Sequence, residues 1–358
     1  METVNRKLVS VKRIRDIQPI EGADKIELAF IDGWQCVTAK DNGFKVNDLV
    51  LYCEIDTVLP EHEETEFLRP RNFRIRTIRL KSKLSQGLIF PLSVIQKIVP
   101  DFTDQHMSML DVGHDVTQLI GATKYEAPIP ACLGGQIEGY FPNKVPKTDA
   151  ERCQNLVGEI SKYKELGIEF VATEKLDGSS ASFMLIDDVF KVCSRNLDLR
   201  ETEGNTFWQV ARKNDVEAKM RFFAETHNIK EFAIQGELVG EGVQKNKYKL
   251  KGHDVYLFNA FNIDTQTYFT WSEFAELIDI TGLKQVPVIM YQYNIIDDDV
   301  NDIDSLLSFA EGKSVLCNDT EREGVVFKSK TINNIRSSSF GQILFKAISN
   351  KFLLKYDE

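Results

Sequence analysis

A lysine followed two residues later by an aspartate and a glycine stands in segment 174–180, Glu-Lys-Leu-Asp-Gly-Ser-Ser. The hydrophobic pattern predicts a strand over 170–175 that ends at Lys175, followed by a loop into the next strand. A lysine at a strand end can act as a nucleophile if it loses its proton, although its reference pKa is about 10.4. Neighbouring positive charge favours that loss. Taken alone, the tetrad is equally typical of a turn with a solvated lysine.

Four more segments lie downstream of Lys175 in one consistent order, and together they favour chemistry over a simple turn. They are 193–196 (Cys-Ser-Arg-Asn), 236–240 (Gly-Glu-Leu-Val-Gly), 323–328 (Glu-Gly-Val-Val-Phe-Lys) and 344–347 (Leu-Phe-Lys-Ala). This ordered set resembles the covalent nucleotidyltransferases, the superfamily of ATP ligases, NAD ligases and mRNA capping enzymes. The resemblance covers most of residues 170–352.

Within that superfamily, the chain is most similar to RNA ligases that carry an extra domain before the catalytic one. Segments 44–52, 54–56 and 146–149 are also similar to stretches of that group. The resemblance implies an ATP-dependent RNA ligase with Mg²⁺ or Mn²⁺ as cofactor. Lys175 would take AMP from ATP, an RNA 5′-phosphate would take the AMP from the lysine, and an RNA 3′-hydroxyl would then displace it.

The resemblance also implies which side chains serve the reaction. The implied catalytic residues are Lys175, Lys328 and Lys346. The implied nucleotide-binding residues are Glu174, Lys175, Asp177, Gly178, Arg195, Asn196, Glu237, Phe258, Lys328 and Lys346. Phe258 matches an aromatic residue that stacks on adenine in the family, and a core strand aromatic is the alternative interpretation.

Three acids of these segments, Asp177, Glu237 and Glu323, are expected to hold the metal through water. Three carboxylates beside a triphosphate would repel it without a cation between them, and Mg²⁺ prefers oxygen ligands and keeps most of its waters. For each acid the alternative is a surface salt bridge. Positive charge from the metal and the downstream lysines would disfavour the ammonium form of Lys175 and offset charge on the α-phosphate.

One departure from the family concerns the C-terminal lysines. Related ligases often carry two lysines separated by one residue, whereas here Lys346 is followed by Ala347 and Ile348. The second lysine is therefore absent, and Lys351 is a candidate replacement. This departure affects the expected set of phosphate contacts and leaves the lysine-AMP chemistry unchanged.

A basic segment in the first hundred residues could bind RNA. The chain has a net charge of −10, so nucleic-acid binding requires a local patch, and residues 67–84 contain seven bases and no acid. Alternation predicts a bulged strand over 73–80. Arg74, Arg76 and Arg79 are the predicted contacts to RNA backbone phosphates. The alternative is a solvated edge strand that its charges protect from pairing.

The pattern of strands, turns and helices predicts an α+β chain. Short strands separated by turns favour a small barrel in the first hundred residues, and the similar ligases have an OB-type barrel there. Prolines and glycines mark a connector before regular strands return. We therefore expect an OB-like RNA-binding barrel over 1–105, a connector over 106–155, and a nucleotidyltransferase domain of antiparallel sheets flanked by helices over 156–358.

Composition narrows the class of protein further. The six cysteines form no Cys-x-x-Cys pair, which argues against zinc and favours reduced core residues in an intracellular protein. No apolar run is long enough to span a membrane. We expect a soluble monomer whose compartment, cytoplasmic or nuclear, the sequence does not distinguish.

Two other functions remain open from the sequence. A capping-type guanylyltransferase would use GTP, but such enzymes place their barrel after the catalytic domain, and few residues follow Lys346. A non-catalytic RNA-binding protein conflicts with an intact lysine and three intact acids. Because no kinase or phosphatase signature is present, the RNA is expected to carry a 3′-hydroxyl and a 5′-phosphate, at a nick in a duplex or on open strands.

Overall fold

The computed structural model describes residues 7–81, 83–125, 136–295, 302–333, 335 and 338–356. The chain divides into two compact units, Met1–Pro128 with Leu353–Glu358 (the first unit) and Ile129–Phe352 (the second unit). No helix in the described ranges is long and apolar enough to cross a membrane. The described cysteines are free thiols, and Cys132 lies outside the described residues.

Short antiparallel strands build the first unit. They are β1 (Val9–Arg13), β2 (Asp16–Pro19), β3 (Ile26–Ile31), β4 (Trp34–Ala39), β5 (Leu49–Cys53), β6 (Thr57–Val58), β7 (Ile78–Leu80), β8 (Lys83–Ser85), β9 (Leu88–Pro91) and β10 (Thr123–Lys124). The sheets are β1-β5-β9 and β2-β3-β4, with the pairs β6-β10 and β7-β8. Inward side chains of both larger sheets, among them Val9, Trp34 and Leu51, meet in one core.

The predicted strand over 73–80 is wrong for most of its length. A 3₁₀ helix occupies Glu63–Arg71, and only Ile78–Leu80 pairs as a strand, with Lys83–Ser85. Asn72 and Phe73 both have a left-handed backbone, with φ of 50° and 56°, which is incompatible with an extended strand. The other strands that the sequence predicts in the first hundred residues, over 8–14, 26–31, 35–39, 49–54 and 87–91, are confirmed as β1, β3, β4, β5 and β9.

Two sheets and six helices are described in the second unit. The strands are β11 (Ile137–Tyr140), β12 (Glu151–Arg152), β13 (Phe170–Lys175), β14 (Ser179–Ile186), β15 (Val189–Cys193), β16 (Leu197–Leu199), β17 (Phe232–Gly240), β18 (His253–Asn262), β19 (Thr267–Tyr268), β20 (Val288–Tyr293), β21 (Gly324–Ser329) and β22 (Leu344–Ile348). The helices that follow α1 (Val94–Ile98) and α2 (Asp104–Ser108) of the first unit are α3 (Val157–Glu165), α4 (Thr206–Lys213), α5 (Val216–His227), α6 (Trp271–Thr281), α7 (Asp302–Ala310) and α8 (Asn350–Tyr356).

Each sheet of the second unit has one face covered by helices. The larger sheet has the order β11-β16-β15-β14-β17-β18-β19, and the smaller sheet has the order β12-β22-β21-β13-β20. Apolar residues of α4, α5 and α6 pack on the larger sheet, and those of α3 and α7 pack on the smaller one. Because side chains alternate along a strand, Met184, Ala233 and Phe261 lie on the opposite face of the larger sheet, where they form a second, smaller apolar cluster.

The period of the apolar residues over 205–226 predicts one helix with Asn205 or Thr206 as N-cap, but the structure has two helices there. α4 begins after Asn205, whose side chain accepts hydrogen bonds from the backbone of Phe207 and Trp208, as predicted for an N-cap. The helical path breaks at Asp215, which has a left-handed φ of 52°. The sequence also predicts helices over 272–280 and 303–311, and these are confirmed as α6 and α7.

Candidate active site

Lys175 is the last residue of β13, and pairing with β21 places an acid beside it. Lys175 lies opposite Gly324 in the antiparallel register, so Glu323 is next to it in space. The Lys175 Nζ to Glu323 carboxylate distance is 2.7 Å. The segments 174–180 and 323–328, which are about 150 residues apart in the sequence, therefore meet through strand pairing.

Two motif glycines allow the backbone to come close at this point. A Cβ atom on Gly178 would lie 2.3 Å from the carbonyl oxygen of Leu238, and one on Gly324 would lie 2.2 Å from that of Ala347. Both distances are far inside van der Waals contact. The glycines are thus required by the close approach of neighbouring strands, which brings the acids of the motifs to Lys175.

Asp177 is buried in an ion pair that sequence reasoning missed. Its carboxylate accepts a hydrogen bond from Lys247 Nζ, and the two side chains are only 9% and 7% exposed. Its backbone N–H donates to the hydroxyl of Tyr248 at 2.6 Å. Lys247 and Tyr248 lie in the loop between β17 and β18, and only the density of lysines over 245–251 could have directed attention to that loop.

Glu237 lies on β17 and faces the same space as the lysine loop. Its Oε1 accepts a hydrogen bond from the backbone N–H of Gly178 at 3.0 Å. Burial raises the pKa of Glu237 to about 8, and the charges of Glu323 and Asp177 add to this effect, whereas Lys175 opposes it. The pKa of Asp177 is also raised, first by burial and then by the charge of Glu323, although its hydrogen bond from Lys247 acts in the opposite direction.

The charge around Lys175 acts in the opposite direction to the one a nucleophile needs. Burial by itself lowers the pKa of Lys175, but the charges of Glu323, Glu237 and Asp177 outweigh burial, so the pKa is raised. The cations that the sequence predicts beside Lys175 would lower its pKa, whereas the acids that lie beside it raise the pKa. Before nucleotide binds, the carboxylates hold this lysine as an ammonium ion.

The three predicted catalytic lysines project from one face of the smaller sheet. Val325, Phe327 and Phe345 point into the helix-covered core, so the alternate positions, including Lys328 on β21 and Lys346 on β22, share the face of Lys175. Lys346 lies opposite Val326 and is half-buried. Lys351, the candidate replacement for the absent lysine, forms an exposed ion pair with Glu311 at 2.7 Å.

Lys328 is closer to Phe258 than to the nucleophile. It is four residues from Gly324, the partner of Lys175, which corresponds to about 13 Å of strand. Its Nζ lies 5.4 Å from the centre of the Phe258 ring. The Nζ is buried without a hydrogen-bond partner among the described residues, and burial lowers the pKa of Lys328 to about 7.

Glu174, the residue before the nucleophile, is buried on the opposite side of β13 from Lys175. Its Oε2 accepts a hydrogen bond from the backbone N–H of Val315 at 2.8 Å. Burial raises its pKa, while hydrogen bonds from Ser314 and Val315 and the charge of Arg322 act against burial. Glu174 thus fixes the segment that precedes β21.

Arg195 and Asn196 follow β15 and contact the segment 146–149. Arg195 forms a bidentate pair with Asp149 at 2.7 and 2.9 Å, and Lys147 Nζ donates to Asn196 Oδ1 at 2.8 Å. Thr148 lies 3.3 Å from the hydroxyl of Ser180, just after the lysine loop. The structure therefore brings segment 146–149 to the motif residues, although the sequence linked it to them only by resemblance.

A divalent ion would fit the acids of this site only through water. In the described ranges, no three His, Cys, Asp or Glu side chains are close enough to bind a metal ion directly. Nevertheless, Asp177, Glu237 and Glu323 influence one another's charge, and the raised pKa values of the first two reflect an excess of negative charge. This donor set of oxygen atoms suits a hydrated Mg²⁺ or Mn²⁺.

The predicted RNA-binding arginines of the first unit have different environments. Arg74 pairs with Asp56 at 2.7 Å, and its guanidinium lies 3.8 Å from the centre of the Tyr125 ring. Arg76 is half-buried, and Arg79 is exposed on β7. The three arginines thus do not form one exposed row.

Comparison with known proteins agrees with this geometry. A sequence model of the RNA ligase family matches residues 168–348, and one of an OB-fold domain matches residues 8–92. A search of curated proteins gave no match. The OB-type domain and the RNA ligase that the sequence predicts are therefore confirmed.

Solved structures of Naegleria gruberi RNA ligase are similar over nearly the whole chain. A ligand-free mutant form is 36% identical, with 100% of this chain and 99% of that chain covered and a TM-score of 0.84. The form with pyrophosphate is 36% identical, with 98% and 99% covered and a TM-score of 0.83. A mutant form with AMP and Mn is 37% identical, with 97% and 98% covered and a TM-score of 0.83. The chain belongs to the RNA ligase family.

Proposed function

We propose that this RNA ligase uses ATP and that Lys175 is the residue that becomes adenylylated. The observation that carries the proposal is the position of Lys175 Nζ, 2.7 Å from Glu323, in a site that also contains Asp177 and Glu237. Structures of the Naegleria gruberi enzyme contain ATP with Mn or AMP with Mn, which is the pair of states that such a lysine would connect.

The reaction consists of three phosphoryl transfers, the first two at the phosphorus of AMP and the last at the 5′-phosphorus of the RNA. The Lys175 amine attacks the α-phosphorus of ATP, a P–N bond forms, and the bond to pyrophosphate breaks as the amine loses a proton. A 5′-phosphate oxygen of RNA then attacks the lysine-bound AMP and releases the amine. Finally, an RNA 3′-hydroxyl attacks the 5′-phosphorus, loses its proton and expels AMP.

Lys175 must lose its proton before the first attack, and the carboxylates around it resist that loss. Asp177, Glu237 and Glu323 would hold a hydrated divalent ion, which would supply positive charge beside the phosphates and the amine. Glu323 also orients the amine by its hydrogen bond, so it would direct Lys175 towards the α-phosphate. Lys346, on the same sheet face, is placed to neutralise phosphate charge.

Phe258 and Lys328 would bind the adenine base. The ring of Phe258 offers a stacking surface, and the buried Nζ of Lys328 beside it is a hydrogen-bond donor for a ring nitrogen. The unsatisfied amine is costly in the absence of a ligand, and a base would relieve that cost. Arg195 and Asn196, with the adjacent Lys147, would contact the ribose and the 5′-phosphate end.

RNA is bound by the OB-fold domain in this proposal. Residues 1–105 would hold the duplex or strand by phosphate contacts, 106–155 would act as a connector, and 156–358 would carry the chemistry. The substrate would carry a 3′-hydroxyl and a 5′-phosphate, at a nick or on open strands. We infer a monomer in a reducing intracellular compartment, which the free buried thiols support.

Incubation with labelled ATP and, separately, labelled GTP tests the first step. A mass increase of one AMP on Lys175 with ATP alone is the expected result, and labelling by GTP instead would overturn the choice of nucleotide. A panel of matched RNA and DNA nicks and open strands then identifies the substrate. Sealing that requires an RNA 3′-hydroxyl strand and a 5′-phosphate supports the proposed ends.

A further inference from the structure

Lys247 forms a buried ion pair inside the site that the proposed reaction does not use. Its Nζ donates to the carboxylate of Asp177, and both side chains are almost fully buried. Its backbone oxygen accepts a hydrogen bond from Thr320 at 2.7 Å, and its Nζ lies 4.6 Å from the centre of the Phe352 ring. Contacts with Thr320 and Phe352, on two separate segments, thus hold this lysine against Asp177.

The backbone before Lys247 is strained. Gln244, Lys245 and Asn246 are all left-handed, with φ of 43°, 59° and 46°. A left-handed backbone is unfavourable for non-glycine residues, so the loop keeps this shape only because its contacts over-determine it. The pair of Lys247 with Asp177 is one of those contacts, and the hydrogen bond from Asp177 to Tyr248 is another.

The ammonium groups and the acids of the site are arranged as pairs. Lys175 pairs with Glu323, and Lys247 pairs with Asp177, so each of these two acids already has a cation at hydrogen-bond distance. An ammonium ion and a divalent ion compete for the same carboxylate oxygen atoms. Removing one partner of a buried pair leaves the other charge uncompensated, which favours any replacement cation.

We propose that Lys247 is an internal counter-ion that occupies Asp177 until the metal-nucleotide complex arrives and so suppresses binding of free divalent metal. Lys247 is a positioning residue in this role, because it acts through Asp177 and not on the reacting atoms. The proposal rests on the proposed function, since it assumes that the three acids serve a hydrated metal. Contact with Phe352 gives the displaced ammonium a second favourable partner.

Binding of Mn²⁺ alone, without nucleotide, tests the proposal by calorimetry on the full chain. Lys247→Met should bind Mn²⁺ at least fivefold more tightly than the parent, and Lys247→Arg should bind as the parent does. The matched control is Lys249→Met, in the same loop, whose lysine pairs with Asp319 at the surface. A fold defect would weaken binding, so tighter binding separates the counter-ion role from a structural one.

Two further measurements keep the test decisive even if Lys247→Met folds poorly. In the parent, Asp177→Asn should weaken nucleotide-free Mn²⁺ binding, because it leaves the buried ammonium of Lys247 uncompensated in the site. In the Lys247→Met background, Asp177→Asn should remove the gain. Equal affinity of Lys247→Met and parent, or a gain in Lys247→Met that persists when Asp177→Asn is added, would overturn the proposal.

Formation of lysine-AMP by the parent is measured in parallel. Its absence would contradict the proposed function while leaving the Mn²⁺ comparison interpretable, so that the two failures are distinguishable.

Discussion

Folding separates the charged side chains of one segment in the first unit, whereas it brings charged side chains of distant segments together in the second unit. In the first unit, seven bases close together in the sequence are dispersed: Arg74 pairs with Asp56, Arg69 pairs with Glu61 and Glu66, and only part of the set remains exposed. In the second unit, residues separated by up to about 150 positions converge on Lys175. Proximity in sequence is therefore a poor guide to a surface patch.

The two units differ because different features of the backbone fix the positions of their charged side chains. Residues of the second unit lie at strand ends whose register is set by buried neighbours, so a one-residue shift would expose a core face. The basic segment of the first unit passes through a 3₁₀ helix and two left-handed residues before it pairs. Its side chains consequently have different environments: Arg69 and Arg74 form ion pairs, whereas Arg79 is exposed on β7.

The largest expected effect is the loss of adenylylation in Lys175→Ala. Lys175 Nζ, at the end of β13, is the amine that pairs with Glu323 at 2.7 Å, so AMP attachment should fall below detection without it. Intact-mass analysis after incubation with ATP and Mg²⁺ measures the result. Lys162→Ala, an exposed lysine of α3, is the control and should label normally. An AMP adduct that persists in Lys175→Ala would refute the assignment.

Loss of a site carboxylate should have the next largest effect. Glu323→Gln and Glu237→Gln should each slow lysine adenylylation on the order of 100-fold, because the hydrated metal is held less well against the phosphates. Single-turnover labelling across a Mg²⁺ series measures the rates. Glu241→Gln, an exposed acid just after β17, is the control. Parent-like rates at saturating Mg²⁺ would make these acids structural.

Phe258→Leu should have a moderate and more specific effect. Loss of a stacking surface for the base, worth about 1–3 kcal/mol, should raise KM for ATP roughly tenfold while kcat changes less. Steady-state adenylylation with varied ATP measures both constants. If kcat falls and KM does not change, Phe258 is a core residue that supports Lys328 and does not contact the base.

Much of the site was predictable because its residues belong to short motifs with fixed order. Lys175, Asp177, Glu237 and Glu323 do come together, and the strands that carry them were predicted almost to the residue. Lys247 was not predictable, because it reaches Asp177 from a loop whose path depends on three left-handed residues. The direction of the pKa shift of Lys175 depends on how close its acids lie, which a sequence does not contain.

The fold was predictable where alternation extends over a whole strand and less so elsewhere. Three-residue strands such as β16 contain too little alternation to detect, although β16 extends the larger sheet. The break between α4 and α5 depends on the backbone of Asp215, since the apolar period continues across it. The main errors in the predicted elements, including the strand predicted over 73–80, therefore arise from local backbone conformations that the apolar pattern does not reveal.

The bases of the basic segment differ in exposure, and this difference allows a test of which of them bind RNA. Arg79, Lys81 and Lys83 are exposed on the hairpin of β7 and β8, whereas Arg74 is held by Asp56 and Tyr125. Replacing the three exposed bases with Gln should weaken nick sealing about fivefold at low salt and leave AMP transfer to Lys175 intact. The salt dependence should become shallower, because fewer counterions are released.

Arg74→Gln is the matched variant for that experiment. It should lower the free energy of unfolding by about 1 kcal/mol, through loss of a half-buried pair and a ring contact, with a smaller change in salt dependence. Chemical denaturation and sealing across a salt series measure both. If the triple hairpin variant seals as the parent does at every salt concentration, the hairpin is a solvated edge and RNA is bound elsewhere.

The smallest expected effect concerns how stability depends on pH, and it arises from the buried acids of the second unit. The pKa of Glu237 in the folded state is about 8, above the ordinary value of 4.5. Between these values the native state binds a proton that the unfolded state has lost, so stability falls as pH rises from about 4.5 to about 8.

Glu237→Gln removes this titration. From pH 6.5 to pH 7.5, the unfolding free energy of the parent should therefore fall by about 1 kcal/mol more than that of Glu237→Gln. Urea denaturation without nucleotide or metal measures the difference, with Glu241→Gln as the control. Lys175 does not interfere, because its raised pKa lies above this range. If Glu237→Gln and the parent lose stability at the same rate, Glu237 is ionised throughout the range and the site holds more negative charge than its burial indicates.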